Sequence, residues 1–308
     1  MVKNLVIVES PAKARTVGRF LGVNFDVKAS MGHVRDLPKG SLGIVIDESG
    51  FQPTYKVSSD KRKIVSELRK AAAEAEIVYL ATDPDREGEA ISWHLVEAAK
   101  IDVRKTRRVV FHEITKAAID EAFTDTRNID VDLVDAQQAR RVLDRLVGYR
   151  LSPVLWRKVK KGTSAGRVQS AALKMVVDRE KSIQIFQSEE YWTLDVTLGH
   201  EDDAKSFTAS LYSVKGEKGK IEILDEVRAT SIRENVSGAV FQVSKYGTKE
   251  SIRRPSAPFI TSTLQQEASR RLRFSASRTM TIAQQLYEGI ELGAEGQIGL
   301  ITYMRTDS

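Results

Sequence analysis

Residues 77–89 read IVYLATDPDREGE, and this stretch decides the fold. An apolar run over 77–81 passes directly into four carboxylates, Asp83, Asp85, Glu87 and Glu89. So short an apolar run, with a helical pattern over 90–99 behind it, reads as a buried strand feeding a helix. The chain opens the same way. An apolar run at 5–8 ends at Glu9, and Ser10 and Pro11 then read as an N-cap and a first helical residue. That helix is expected through residue 20, with a stop near Gly22.

Working outward, residues 61–75 are helix-like, 108–111 form a third strand and 116–123 another helix. Strands alternating with helices predict an α/β domain, mostly parallel, with its site at the carboxyl ends of the strands. Residues 32–55 interrupt the pattern, and their Gly and Pro residues mark loops. Residues 136–149 predict an amphipathic helix. Gln137, Arg141, Asp144, Arg145 and Gly148 share one face, and Ala139, Val142, Leu143, Leu146 and Val147 the other. Pro153 is expected after its end. A turn at 162–166 leads to a helix over 167–181. Between 191 and 243 the segments WTLDVTL, FTASLYSV and AVFQVSKY alternate with period two, which predicts antiparallel strands with turns at 201–204 and 215–220. The linker RRPSAPF (253–259) precedes helices over 263–271 and 278–288 and a strand over 300–305. A chain stopping directly after a strand reads as a partial sequence.

Charge is unevenly spread. The net charge is +6, but residues 137–174 hold ten Lys/Arg against Asp144 alone, and residues 253–278 hold six arginines against Glu267. Two basic segments on a near-neutral background point to a polyanion, with solvated helix faces as the other reading. The 308 residues contain no cysteine, so there is no disulfide framework and no cysteine-ligated zinc. The N-terminal apolar run is too short for a signal peptide, and nothing reaches transmembrane length. A cytoplasmic protein is expected.

Asp83 and Asp85 project the same way if the chain is extended there. Glu9 joins them if the two strands are neighbours. Crowded carboxylates repel and resist ionisation. Mg²⁺ takes such oxygen ligands and completes its shell with water and phosphate. The alternative is an acid-rich helix N-terminus. Lys13 faces a phosphate or pairs with Glu9. His33 is a lone loop histidine, and no histidine spacing suggests zinc. Arg141 and Arg145 suit DNA phosphates, with Tyr149 or Trp156 stacking on an unpaired base; solvated arginines over core aromatics are the alternative. Gly162–Ser170 offers small residues before a helix start, where backbone amides receive phosphate. There is no GxGxxG or Walker A, so ATP use is not indicated. Tyr303 needs help to act as a nucleophile, because a phenol has a pKa of about 10. Arg305, on the same face of an extended strand, would stabilise a phenolate and charge at phosphorus.

Seven segments then resemble the signature blocks of bacterial type IA DNA topoisomerases, the DNA topoisomerase I branch, in that family's order. They are VESPAKA (8–14), SMGHVRDLP (30–38), TDPDREGE (82–89), FHEITK (111–116), QQARRVLDRLVGYRLSP (137–153), TSAGRVQS (163–170) and ITYMRTDS (301–308). VESPAKA and GHVRDLP favour this branch over topoisomerase III.

The resemblance implies a Toprim domain over 1–128, with a loop insertion at about 36–60, and part of a helical single-strand-binding domain over 129–186. It implies part of a β arch over 187–256, and over 257–308 the start of a winged-helix-like domain carrying the nucleophile. Glu9, Asp83, Asp85 and Glu87 would surround Mg²⁺, with Glu9, Lys13, Tyr303 and Arg305 in the chemistry. DNA would meet His33, Arg140, Arg141, Asp144, Arg145, Tyr149, Trp156, Ser164, Ala165, Gly166, Arg167, Val168, Gln169 and Arg305. The implied reaction relaxes negatively supercoiled DNA through a transient 5′-phosphotyrosine break in one strand, without ATP. The partner would be the single-stranded segment of that duplex, and the enzyme a nucleoid-associated bacterial monomer. The alternatives are another Toprim enzyme, a primase or nuclease, and a non-catalytic single-strand-binding protein.

Overall fold

The computed structural model describes residues 4–48, 50–199 and 205–306; the turn expected at 201–204 lies outside them. Two compact units divide the chain, Met1–Ser170 with Ser256–Ser308, and Ala171–Pro255.

In the first unit, four parallel strands form one sheet in the order β2 (Phe25–Ala29), β1 (Asn4–Val8), β7 (Val78–Leu80), β8 (Thr106–Arg108). The expected parallel α/β architecture is present. Leu5 pairs with Val78 and Ile7 with Leu80, so Glu9 and Asp83 leave adjacent strands at the same sheet edge. Side chains alternate across β1. Leu5 and Ile7 pack with Leu68 of α2 (Arg62–Glu74) and Leu95 of α3 (Arg86–Ala99). Val6 and Val8 pack on the other face with Val17 of α1 (Pro11–Leu21) and Ile119 of α4 (Lys116–Thr124). Ala283, Tyr287, Tyr303 and Met304 complete that second face, so the C-terminal segment belongs to the core of this unit.

Local signals behave as read. Ser10 caps α1 through the Lys13 N–H (3.1 Å), with Pro11 at the first helical position. The loop region holds short antiparallel pairs, β3 (Arg35–Asp36) with β6 (Lys56–Val57) and β4 (Ile44–Asp47) with β5 (Gly50–Pro53). Helix α5 spans Val131–Lys158 and continues through Pro153. Its last turns are held from outside, by Trp156 Nε1–H donating to Thr163 O (2.6 Å) and by Ser152 Oγ accepting from the Ala165 N–H (3.1 Å). Helices α8 (Thr261–Leu272) and α9 (Ala276–Glu288) precede a small hairpin, β11 (Ile290–Glu291) with β12 (Gln297–Ile298).

The strand expected at 300–305 is absent. The Leu300 N–H goes to Leu286 O, the Tyr303 N–H to His112 O and the Met304 carbonyl to the Thr261 hydroxyl, so no ladder forms. In the second unit, which takes most of α6 (Arg167–Gln184), β9 (Asp195–Gly199) and β10 (Ser206–Ser210) pair antiparallel as expected. The alternating segment at 239–246 has no ladder partner among the described residues, and α7 (Glu226–Val236), capped by Asp225, was not anticipated. Among the described residues no helix is long and apolar enough to cross a membrane.

His94 of α3 is buried and its Nδ1 accepts from Arg35 Nε–H at 3.0 Å, with Tyr55 and Trp93 against its ring. Burial, then the Arg35 charge, pushes its pKa down to about 3. The unfolded chain takes up this proton below about pH 6.5 while the fold refuses it, so stability falls with pH from there. A His94→Gln variant should lose this contribution. Its stability should vary less steeply between about pH 6.5 and 5, by up to about 1.4 kcal/mol per pH unit. Denaturant titrations with identical slopes for both proteins would contradict the assignment.

Candidate active site

The segment after β7 turns sharply into α3. Asp85 is the N-cap, its Oδ1 accepting from the Gly88 N–H at 2.7 Å. A Cβ on residue 88 would lie 2.1 Å from the Asp83 carbonyl oxygen, so only glycine lets the helix start this close to the strand end. Beneath the turn, Arg108 is fully buried. It donates to the carbonyls of Leu80, Thr82 and Asp83 (3.0, 2.9 and 2.7 Å) and to Glu89 Oε2 (2.9 Å). Glu89 also accepts from Arg127 and from the Asp130 N–H. The acid-rich helix start and the acidic site are thus the same residues: Glu89 holds the frame, while Asp83, Asp85 and Glu87 face a cleft of about 600 Å³.

Glu9, His33 and Arg305 line that cleft as well. Lys13, with no solvent exposure, donates to Glu9 Oε1 and Asp83 Oδ1, each at 2.9 Å. Its ammonium lies 4.9 Å from the Phe111 ring centroid and 5.7 Å from that of Tyr287. Burial alone would lower the Lys13 pKa, but Glu9, Tyr287 and Asp83 together drive it up. Burial raises the Glu9 carboxyl, Asp83 adds to the effect and Lys13 opposes it. Asp83 lies below its ordinary value, because Lys13 overcomes the effect of burial.

Tyr303, only 7% exposed, donates its hydroxyl to Asp85 Oδ2 at 2.7 Å. Arg305 Nη1 donates to the same Oδ2 (3.1 Å) and to Glu87 Oε2 (2.9 Å). Burial, then the charges of Asp83 and Asp85, drives the Tyr303 phenol far above its ordinary pKa. His33 Nε2–H donates to Glu87 Oε1 at 3.1 Å, and this bond, with help from Arg305, holds Glu87 down to about 2. Tyr287 packs edge-on against Tyr303, ring centroids 5.1 Å apart, and donates to Phe111 O.

Glu9 Oε2 is buried without a hydrogen-bond partner. An orphaned carboxylate oxygen in an all-carboxylate donor set suits a hard divalent cation. Among the described residues, however, no three Asp, Glu, His or Cys side chains converge tightly enough to hold an ion. Lys13 spans Glu9 and Asp83, and Asp85 is engaged by Gly88, Tyr303 and Arg305.

The remaining expected residues lie elsewhere in the first unit. Arg141, Asp144, Arg145, Tyr149, Trp156, Ser164 and Ala165 line a second cleft of about 550 Å³. Tyr149 and Trp156 are about half exposed there. Arg167 pairs with Asp144 (2.9 Å), beside Gly166 and Val168, and Gln169 contacts Ser164. Arg140 lines a third cleft with Asp85, Arg86, Gln137 and Arg305. Gln137 stands one turn before Arg141 on the same face of α5, as expected, and its Oε1 is buried without a hydrogen-bond partner. Of the two frame residues, Glu89 belongs to the four carboxylates read from the sequence, with no frame role attached, and Arg108 carries no site signal there.

A DNA topoisomerase family model matches residues 128–308, and a Toprim domain model matches residues 4–114. Toprim domains generally bind divalent metal ions. The structure of full-length topoisomerase I from Thermotoga maritima is similar over 99% of this chain, at 44% identity and a TM-score of 0.82; the chain spans 49% of that protein's length.

Truncating Glu89 to alanine should cost about 3–5 kcal/mol, because Arg108 would keep a buried charge with no counter-ion. Chemical denaturation measures this, and a loss under about 1 kcal/mol would refute the role of the pair.

Proposed function

The chain belongs to the bacterial type IA DNA topoisomerase family, and from that premise we propose that it carries the centre that breaks and rejoins one DNA strand. The observation behind this reading is the Tyr303 hydroxyl hydrogen-bonded to Asp85, which itself lines the acidic cleft. The Tyr303 oxygen attacks a backbone phosphorus, its proton passing to Asp85. The bond to the 3′ oxygen breaks and that oxygen takes up one proton, balancing the one the phenol gave up, which leaves a 5′-phosphotyrosine and a 3′ hydroxyl. Attack by that hydroxyl restores the strand and frees the phenol. One phosphodiester replaces another, so the exchange needs no ATP.

Arg305 sits beside the phenol, where it stabilises charge on the phosphoryl oxygens. Lys13 supplies a fixed cation at the far side of the acids. Glu9, Asp83, Asp85 and Glu87 line one cleft without converging as they stand, and they would hold Mg²⁺ only once their pairings with Lys13 and Arg305 are exchanged. When bound, the ion would neutralise phosphate charge and fix the strand in place. The basic α5 and the second cleft receive the single strand, with Tyr149 and Trp156 against an unpaired base. On this reading residues 1–128 are the catalytic domain, 129–186 the strand groove, 187–256 part of an arch and 257–308 the nucleophile segment. The whole protein relaxes negatively supercoiled DNA as a monomer in the bacterial cytoplasm, at the nucleoid.

Because the chain spans about half of its relative, supercoil relaxation by these 308 residues alone is expected to be weak or absent, and ready relaxation would contradict this. Cleavage is the sharper assay. With Mg²⁺ and a 3′-labelled single-stranded oligonucleotide, label should become attached to the protein in a denaturing gel. Tyr303→Phe should abolish the adduct while leaving oligonucleotide binding intact. Strand cutting that survives in Tyr303→Phe would identify a metal nuclease instead.

A further inference from the structure

Residues 32–38 connect two of the clefts. At one end the Gly32 N–H donates to Glu9 O (2.9 Å), and His33 bonds Glu87 at 3.1 Å. At the other end Asp36 takes the Arg141 guanidinium side-on, Nε to Oδ1 at 3.0 Å and Nη2 to Oδ1 and Oδ2 at 2.8 and 2.7 Å. Arg145 donates to Pro38 O at 3.1 Å. Both arginines line the second cleft, whereas Glu9, His33 and Glu87 line the first.

The span between these ends is stiff. Arg35 and Asp36 pair with Val57 and Lys56 in a two-strand ladder. The Arg35 guanidinium lies over the Trp93 and Tyr55 rings (4.8 and 5.7 Å), and its Nε–H is bonded to His94. Asp36 also accepts from the Leu37 N–H at 2.7 Å, which fixes the carboxylate against its own backbone.

Energetics decide what the Asp36–Arg141 pair is for. Its side chains are 49% and 37% exposed, a setting in which an ion pair adds about 1 kcal/mol or less to stability. A planar guanidinium gripped along one edge is nevertheless held in one orientation, with its remaining donors available. We propose that Asp36 is a positioning residue: it aims Arg141 into the second cleft, and the loop at 32–38 sets how far the base read there lies from the phosphate that Tyr303 attacks. This rests on reading that cleft as a site for one unpaired base. Asp36 touches neither the phenol nor the acids, so its effect falls on base preference and cut position, not on the chemical step.

The test uses the 308-residue chain and fluorescence anisotropy with dA, dC and dT homopolymer oligonucleotides. The wild-type chain should favour one of them by about tenfold. Asp36→Ala should bind all three within about twofold of one another, with average affinity equal to or above wild type, since a carboxylate has been removed from a basic cleft. Asp36→Asn, isosteric and safe for folding, should show the same levelling in smaller degree. Thermal melting should place both variants close to wild type. Either variant keeping the full wild-type preference, or losing affinity equally for all three oligonucleotides, would overturn the positioning role and leave the base cleft standing. A wild-type chain that binds in a salt-dependent way but without preference would overturn the base cleft itself, and the inference with it.

Discussion

Everything at the site turns on one hydrogen bond, from the Tyr303 hydroxyl to Asp85 Oδ2, joining residues 218 positions apart. Asp85 is fixed before the phenol arrives, because its other oxygen caps α3. Tyr303 is fixed by its N–H on His112 O and by the Tyr287 ring. Tyr303, the proposed nucleophile, is therefore a core residue of the first unit, packed in the cluster that covers the Val6 and Val8 face of the sheet. A group buried this way already sits at its acid, and the phosphate is what must be brought to it.

The electrostatics follow from that burial. Carboxylates gathered near a buried phenol keep its proton on, and a buried Lys13 holds Glu9 and Asp83 together. The arrangement is paired within itself. It is stable because each acid has a cation or a donor, with Glu9 Oε2 left over. Placing a divalent cation or a phosphate there changes which of these groups is paired. On this account, that exchange is how substrate binding and nucleophile activation are linked.

What the sequence revealed was mostly local. The strand-to-Glu9 turn, the Ser10 cap and the strand before Asp83 are decided by neighbouring residues, and they stand where expected. Tertiary contacts decided the rest. Pro153 reads as a stop, yet α5 runs past it because Ser152 and Trp156 are tied to residues 163 and 165. Tyr303 alternates like a strand residue, but its amide is claimed by His112. Arg108 opens the strand expected at 108–111 with no local sign of its role, although its donations to the Thr82 and Asp83 carbonyls hold the acidic turn in shape. No spacing rule links Asp36 to Arg141 across 105 positions.

The claim that a protonated, buried phenol is held by Asp85 is open to direct measurement. Tyrosine labelled with ¹³C at Cζ reports ionisation of each ring by NMR, and comparison with Tyr303→Phe assigns the signal. Without metal, Tyr303 should stay protonated at about pH 11, where exposed tyrosines are largely ionised, and Asp85→Asn should shift its titration downward. A Tyr303 signal that titrates with the exposed rings near pH 10, unmoved by Asp85→Asn, would contradict the account.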